Sequence, residues 1–363
     1  MNKNIEYIET NYPFQNKETD GINEIFNINA KTIETLEPNE YFEGIQTNIP
    51  TTEKIEYGDH NESIDKPIIK NMVISGGGGT FLFIAHGIIK ETSIKKIWDI
   101  KNLKTIYATS AGAILSYIIA LDYDWETLDK YMINRPWDKV FEINTNSILN
   151  SFKGCGILGI QVIEKLFEPL LKAKDMSLDI NLKEFYEKTG IEIHTFSSEL
   201  IEFEIIDISY KTHPTWKITE AVYSSCCLPI LFIPYRKDNK VYSDGGYLNN
   251  YPLNNCIDNS SVKKNEILGI NKIMNKKPEN SKVTFDEKAT LFDYISLLFS
   301  LTFQNLTYYK IKPNNSIPNE IFIYDKPKAN MLYDIYDCTT KEETRINLIK
   351  EGQALCSSFV LHS

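Results

Sequence analysis

Three short stretches carry residue types that could do chemistry. The first is Gly76-Gly77-Gly78-Gly79, directly after the apolar run Met72–Ser75. Glycine serves where backbone takes φ > 0 or closely approaches another group. A run of glycines at the mouth of a helix leaves N–H groups uncovered, which suits a negative charge. The second is Ala108-Thr109-Ser110-Ala111-Gly112, where a β-type run breaks into a small-residue turn with a serine at its centre. A serine on a sharp strand-to-helix turn suits nucleophilic attack, because the turn pushes its Oγ out of the layer. The third is Ser243-Asp244-Gly245-Gly246, a carboxylate at a glycine turn. The first two together suggest an oxyanion hole beside a nucleophile.

Other readings of the glycine loop fail on spacing. The dinucleotide fingerprint GxGxxG would put its third glycine at Leu82, and a P-loop would need Gly-Lys-Ser/Thr where Gly79-Thr80-Phe81 stands. The serine turn departs from GxSxG, with Ala108 at the first glycine. A Ser-His-Asp triad would need one of His60, His86, His194, His213 or His362, none of which carries a local signature.

The elements that must position these residues follow from pattern. Ile68–Ser75 and Leu103–Thr109 read as buried strands, and Leu82–Ile94 and Gly112–Leu121 as the helices after them. Trp125–Ile133, Gln161–Lys174, Leu182–Lys188, Ile218–Cys227 and Lys341–Leu361 read as further helices. Ile191–Ser197, Phe203–Ile208, Lys240–Ser243 and Glu266–Ile270 read as strands. Alternating strands and helices imply an α/β fold with a mainly parallel central sheet covered on both faces, and a site beyond the carboxyl ends of the strands. Asp286–Tyr309 is strongly apolar at helical spacing, which favours a core helix over a lipid-facing lid. The lysines of Lys263–Lys282 read as a solvated surface that could touch anionic headgroups.

The third motif extends to Tyr242-Ser243-Asp244-Gly245-Gly246-Tyr247-Leu248-Asn249-Asn250-Tyr251-Pro252. It closely resembles the aspartate-glycine-glycine and Asn-Asn-x-Pro pattern of the patatin-like phospholipases. Glu220–Pro229 resembles the family's preceding helix, Thr109–Ala113 its nucleophile elbow, and Gly77–Gly79, followed by Gly87, its oxyanion loop. The resemblance covers roughly residues 67–270. It implies a three-layer α/β/α fold and a Ser110–Asp244 dyad acting through an acyl-serine. The amides of Gly77, Gly78, Gly79 and Ala111 would form the oxyanion hole, with no metal or cofactor. The implied activity is hydrolysis of lipid carboxylic esters, of phospholipase A type, with peripheral membrane contact. One departure stands out: where the family's loop continues with a basic residue and a glycine, this chain has Phe81 and Leu82. That departure keeps open a weak or inactive lipid-binding relative. A soluble esterase or acyltransferase is a further alternative.

Composition bounds the rest. The chain has 363 residues, 42% of them hydrophobic, and a net charge of −10. Residues 1–66 hold 14 acidic and 5 basic residues and read as an acidic N-terminal extension. Residues 67–363 read as the patatin-like domain, with a motif-bearing core to about 270 and a C-terminal helical part from about 271. No basic face for nucleic acid is visible, and no signal-peptide or transmembrane pattern appears. The six cysteines form no CxxC pair and read as reduced and mostly buried. An intracellular location, cytoplasmic or peripheral at membranes, is expected.

Overall fold

The structure is a computed structural model. It describes residues 67–143, 147, 151, 153–274, 294–295, 297–298, 301–302, 316–325 and 331–362. The chain divides into two units, Met1–Ile64 and Asp65–Ser363, and the described residues belong to the second. The acidic N-terminal stretch therefore lies outside the described residues.

In chain order the elements are β1 (Asn71–Ile74), α1 (Gly78–Ile94), β2 (Thr105–Thr109), α2 (Ala111–Ala120), α3 (Trp125–Asn134) and α4 (Trp137–Val140). Then come β3 (Gly156–Leu158), α5 (Gln161–Ala173), α6 (Leu182–Thr189), β4 (Glu192–Glu199), β5 (Glu204–Ile208) and α7 (Ile218–Cys226). The rest are β6 (Ile230–Phe232), β7 (Tyr235–Lys237), β8 (Lys240–Asp244), α8 (Gly246–Asn249), α9 (Leu253–Ile257), β9 (Ile267–Met274), β10 (Glu320–Asp325), α10 (Met331–Thr340) and α11 (Glu342–Leu355).

The main sheet runs β10-β9-β1-β2-β4-β8-β7, with β5 also on β4. From β10 to β4 it is parallel; β8, β5 and β7 join antiparallel. The sheet is therefore mainly parallel, as expected, with antiparallel strands at one side. Short hairpins place β5 beside β4 and β7 beside β8. Asp238 and Asn239, both at positive φ (53° and 60°), join β7 to β8, a pair of left-handed residues whose twist matches the strands.

β1 and β2 are buried along their whole length, as continuous apolar strands between two layers should be. Met72, Ile74, Ile106 and Ala108 face the large core with α1, α2 and α5. Val73 and Tyr107 face a smaller core with Tyr251, Leu253 and Cys256. The period-two alternation thus feeds two layers of unequal thickness, and the three-layer α/β/α expectation holds.

α1 begins at Gly78, four residues before the expected Leu82. Glycines have no side chains to reveal a helical period. The burial of Phe81 and Leu82 (1% and 7% exposed) sets the first turn instead. α1 and α11 cross at glycines on both helices. A Cβ on Gly87 would lie 2.1 Å from Ile349 O, and one on Gly352 2.0 Å from Ile84 O. Gly352→Ala is expected to push the helices apart and destabilise the unit by about 1–3 kcal/mol. A thermal melt several degrees below wild type checks it; an unchanged melt contradicts the crossing.

Most of Asp286–Tyr309 lies outside the described residues. Those described, 294–295, 297–298 and 301–302, are helical. Tyr294, Ile295 and Leu298 are 52%, 46% and 53% exposed, so the core reading fails at these positions. Apolar periodicity marks a face and does not say what covers it. The C-terminal helix stops at Leu355, short of the expected Leu361. All six cysteines are free, and all but Cys155 are buried.

Candidate active site

β4 explains how two distant turns meet. β2 pairs with one edge of β4 up to Thr109↔Phe196. β5 occupies the other edge, pairing with Thr195 through Glu199. β8 must therefore lie on the β2 edge, where it starts one residue later, at Ser197↔Asp244, and runs the opposite way. β2 and β8 thus meet end to end beside one strand. Their C-terminal residues, Thr109 and Asp244, face adjacent residues of β4, and Ser110 follows directly.

Ser110 sits at φ 53°, ψ −122°, and is the residue before α2. A non-glycine residue in such a conformation is strained by about 1–3 kcal/mol and persists only where its surroundings hold it. Here the hold is visible. Ser110 N donates to Ser225 Oγ at 2.8 Å, and Ser225 Oγ donates to Phe196 O at 2.5 Å. Gly112 lets the first turn of α2 press on the end of β1; a Cβ there would lie 2.6 Å from both Ile74 O and Ser75 O. Small residues at the elbow are thus a packing requirement.

Ser110 Oγ donates to Asp244 Oδ2 at 2.7 Å. Gly246 N donates to Asp244 Oδ1 at 2.8 Å, tying the carboxylate to its own turn. The aspartate backbone is tied as well: its N–H reaches Cys227 O and its carbonyl accepts from Ser198 Oγ at 2.9 Å. Asp244 is 3% exposed. Burial raises its pKa from 3.8 to about 6, although the hydrogen bonds from Ser110 and Gly246 pull the other way. Burial, and then the Asp244 charge, push the neighbouring Cys226 thiol well up, so it stays neutral beside the pair.

The glycine loop follows β1 on the same edge of the sheet. Gly76 N donates to Asn250 O at 2.9 Å, and Asn250 Nδ2 donates back to Gly76 O at 3.3 Å. A Cβ on Gly76 would come 3.1 Å from Ser110 Cβ, which places the loop against the elbow. Gly78 and Gly79 open α1, and Ala111 opens α2. First-turn amides have no intrahelical acceptor and carry the positive end of the helix dipole. Two helix N-termini therefore flank Ser110, an arrangement suited to an oxyanion.

No histidine among the described residues bonds Ser110 or Asp244. His86 Nε2 pairs with Asp129 Oδ1 at 2.9 Å. His194 lies between Asp207 and Glu192, each 2.8 Å away. Burial opposes its charge, but the two carboxylates prevail and raise its pKa to about 9. The sequence alone marks no role for Ser225, Asn250 or Lys272. Ser225 and Asn250 stand inside the quoted motifs, and Lys272 inside the lysine-rich stretch.

The chain thus presents an α/β sheet with a serine elbow hydrogen-bonded to an aspartate, beside a glycine-rich helix mouth. The sequence profile of a family described as patatin-like phospholipase matches residues 72–257, and the chain belongs to that family. A relative called probable lipid hydrolase 463L, from Invertebrate iridescent virus 6, is 25% identical over 304 residues, covering 81% of this chain and 94% of its own. An uncharacterised protein, R571 of Acanthamoeba polyphaga mimivirus, is 27% identical over 204 residues, covering 53% of this chain and 63% of its own. Among solved structures, VipD from Legionella pneumophila shares 17% identity at a TM-score of 0.42, over 79% of this chain and 67% of that one.

Proposed function

We propose that this protein is a lipid acyl hydrolase of phospholipase A type, cleaving carboxylic esters with Ser110 and Asp244. The 2.7 Å hydrogen bond from Ser110 Oγ to Asp244 Oδ2 at a strained elbow carries the reading, and family membership supports it. Asp244 takes the Ser110 proton as Oγ attacks the ester carbonyl. The amides of Gly77, Gly78, Gly79 and Ala111 hold the resulting oxyanion. Collapse breaks the ester C–O bond, Asp244 returns the proton to the leaving alcohol, and an acyl-Ser110 ester remains. Water then attacks that ester, giving its proton to Asp244, and the fatty acid leaves as Ser110 recovers its proton. A pKa near 6 makes Asp244 a stronger base than an ordinary carboxylate while leaving it ionised at neutral pH. Phe81 and Leu82, where the family's loop has a base and a glycine, are buried on α1. Their apolar character suits those positions.

Fatty-acid release from mixed phospholipid vesicles, with calcium chelated, tests the reading. Wild type should release fatty acid, and Ser110→Ala and Asp244→Ala should not. A folded wild type that binds vesicles and releases nothing would sink it.

Contact with the lipid surface has a candidate too. The β4–β5 turn carries Leu200, Ile201 and Phe203, which are 42%, 61% and 60% exposed, just beyond Ser197 and Asp244. Glu199 accepts from the backbones of Ile201, Glu202 and Val241, so the tip is held in shape. No helix among the described residues is long and apolar enough to cross a membrane. Ile201→Ser combined with Phe203→Ser is expected to weaken co-sedimentation with phospholipid vesicles about tenfold, from the apolar area lost to the interface. Unchanged sedimentation would place the contact elsewhere.

A further inference from the structure

β9 lies parallel to β1, with Ile270 opposite Ile74. Two residues further on, Lys272 comes alongside the glycine loop into which β1 opens. Two contacts join them. Lys272 N donates to Ser75 Oγ at 2.9 Å, and Lys272 Nζ donates to Gly77 O at 2.9 Å. The stem packs there as well: a Cβ on Gly77 would come 2.6 Å from Lys272 Cδ and 2.5 Å from Phe81 Cβ. This lysine is half-buried, unlike the solvated surface that its lysine-rich neighbourhood suggests.

The Gly77–Gly78 peptide needs such a hold. Neither residue has a side chain, and Gly78 sits at φ 74° with no atom from elsewhere in the fold within 4 Å of where its Cβ would be. Rotation about the bonds flanking this peptide is sterically cheap on both sides. In a trans peptide the C=O and the following N–H point in opposite directions. Holding Gly77 O therefore sets the direction of Gly78 N–H. An ammonium on a carbonyl makes a charge-assisted bond, stronger than a neutral one, and polarises the peptide so that its N–H donates better.

We propose that Lys272 is a positioning residue for ester hydrolysis. It clamps the Gly77 carbonyl from β9 so that Gly78 N–H stays turned toward the oxyanion. The proposal rests on the hydrolase reading above. Lys272 also brings a cation to the loop from another strand, in a chain whose loop itself continues with Phe81.

Lys272→Met keeps most of the apolar stem and removes the cation; Lys272→Arg keeps a cation; Lys272→Gln is a second truncation if the methionine variant does not fold. The steady-state constants on phospholipid mixed micelles should divide unevenly. In Lys272→Met, kcat should fall about 10- to 100-fold, less than or comparable to the loss of a whole oxyanion donor, with KM within about twofold. Affinity for a lipid trifluoromethyl ketone, whose serine adduct places an oxyanion in the same hole, should fall in parallel. Lys272→Arg should recover most of both. A raised KM with intact kcat, or an arginine variant as poor as methionine, would overturn the clamp. A second readout needs no turnover. In the full chain labelled with ¹⁵N-glycine, the Gly78 amide should give one sharp resonance in wild type and a broadened or doubled one in Lys272→Met. An equally ordered Gly78 amide in both proteins would also overturn the clamp. An inactive wild type would count against the hydrolase reading, while the Gly78 resonance would still decide the clamp.

Discussion

Ser110→Ala is expected to lower fatty-acid release by on the order of 10⁴-fold or more, because in the proposed mechanism it removes the atom that bonds to the acyl group. The loss should be chemical and not structural. The Ser110 side chain bonds to Asp244, whereas the elbow is held through the Ser110 backbone, by Ser225. An alanine there keeps that hold and the helix start of α2. The substitution has a side effect of known sign. The Ser110 hydrogen bond holds the Asp244 pKa down, so its loss should move that pKa further above 6. A covalent fluorophosphonate label provides the check: wild type should acquire one adduct, at Ser110, and Ser110→Ala none. Labelling of the alanine variant at another serine, together with residual release, would move the nucleophile elsewhere.

Asp244→Asn is expected to act on activity and stability in opposite directions. Asparagine has the same shape, can accept from Gly246 N and can donate to Ser110 Oγ, but it cannot take a proton. A general base of this kind contributes about 10²–10⁴-fold, and activity should fall by that order. In wild type, kcat/KM should drop as pH falls through about 6, where Asp244 becomes protonated; an acid limb near 4 would mean that the carboxylate is not desolvated in the free enzyme. Stability runs the other way. Burial raises the folded-state pKa from 3.8 to about 6, so the native state holds this proton more tightly than the unfolded chain does. Native stability from this group is fully present below pH 3.8 and is lost as pH rises through 6. The loss amounts to about 3 kcal/mol at pH 8. Asp244→Asn removes the buried charge and should melt higher than wild type at pH 8, with the gap closing as pH falls from about 6 toward 3.8. A variant less stable than wild type at pH 8 would contradict the burial penalty. The trade is the one expected when a site keeps a destabilising group because the reaction needs it.

The site was legible in the sequence wherever local backbone chemistry dictates residue type. Only small residues suit the turn after Ser110, because α2 meets the end of β1 with no room for a Cβ at Gly112. The glycine loop and the Asp-Gly-Gly turn announce themselves for similar reasons, and the unbroken apolar runs of β1 and β2 announce strands buried on both faces. Family-pattern spacing then tied these pieces together. The groups that hold the site were less visible. Ser225 is one serine in a run of small residues, and its bonds to Ser110 N and Phe196 O depend on α7 docking over β4. Lys272 is one of six lysines between Lys263 and Lys282, and only its place on β9, beside the loop, distinguishes it. The exposure of Tyr294, Ile295 and Leu298 was equally hidden, since periodicity marks an apolar face without its partner.

The sequence by itself determined which residues could react and where the chain turns, because turn conformations and continuous burial act through neighbours a few positions apart. Only the tertiary structure decided that Ser110 and Asp244 meet. Their encounter depends on the register of two strands on β4: β2 ends at Phe196, and β8, arriving from the opposite direction, ends at Ser197. Such a register is the joint result of pairing and packing among distant segments, and it joins two residues 134 positions apart. The same pairing buries Asp244 and raises its pKa above that of an ordinary turn carboxylate.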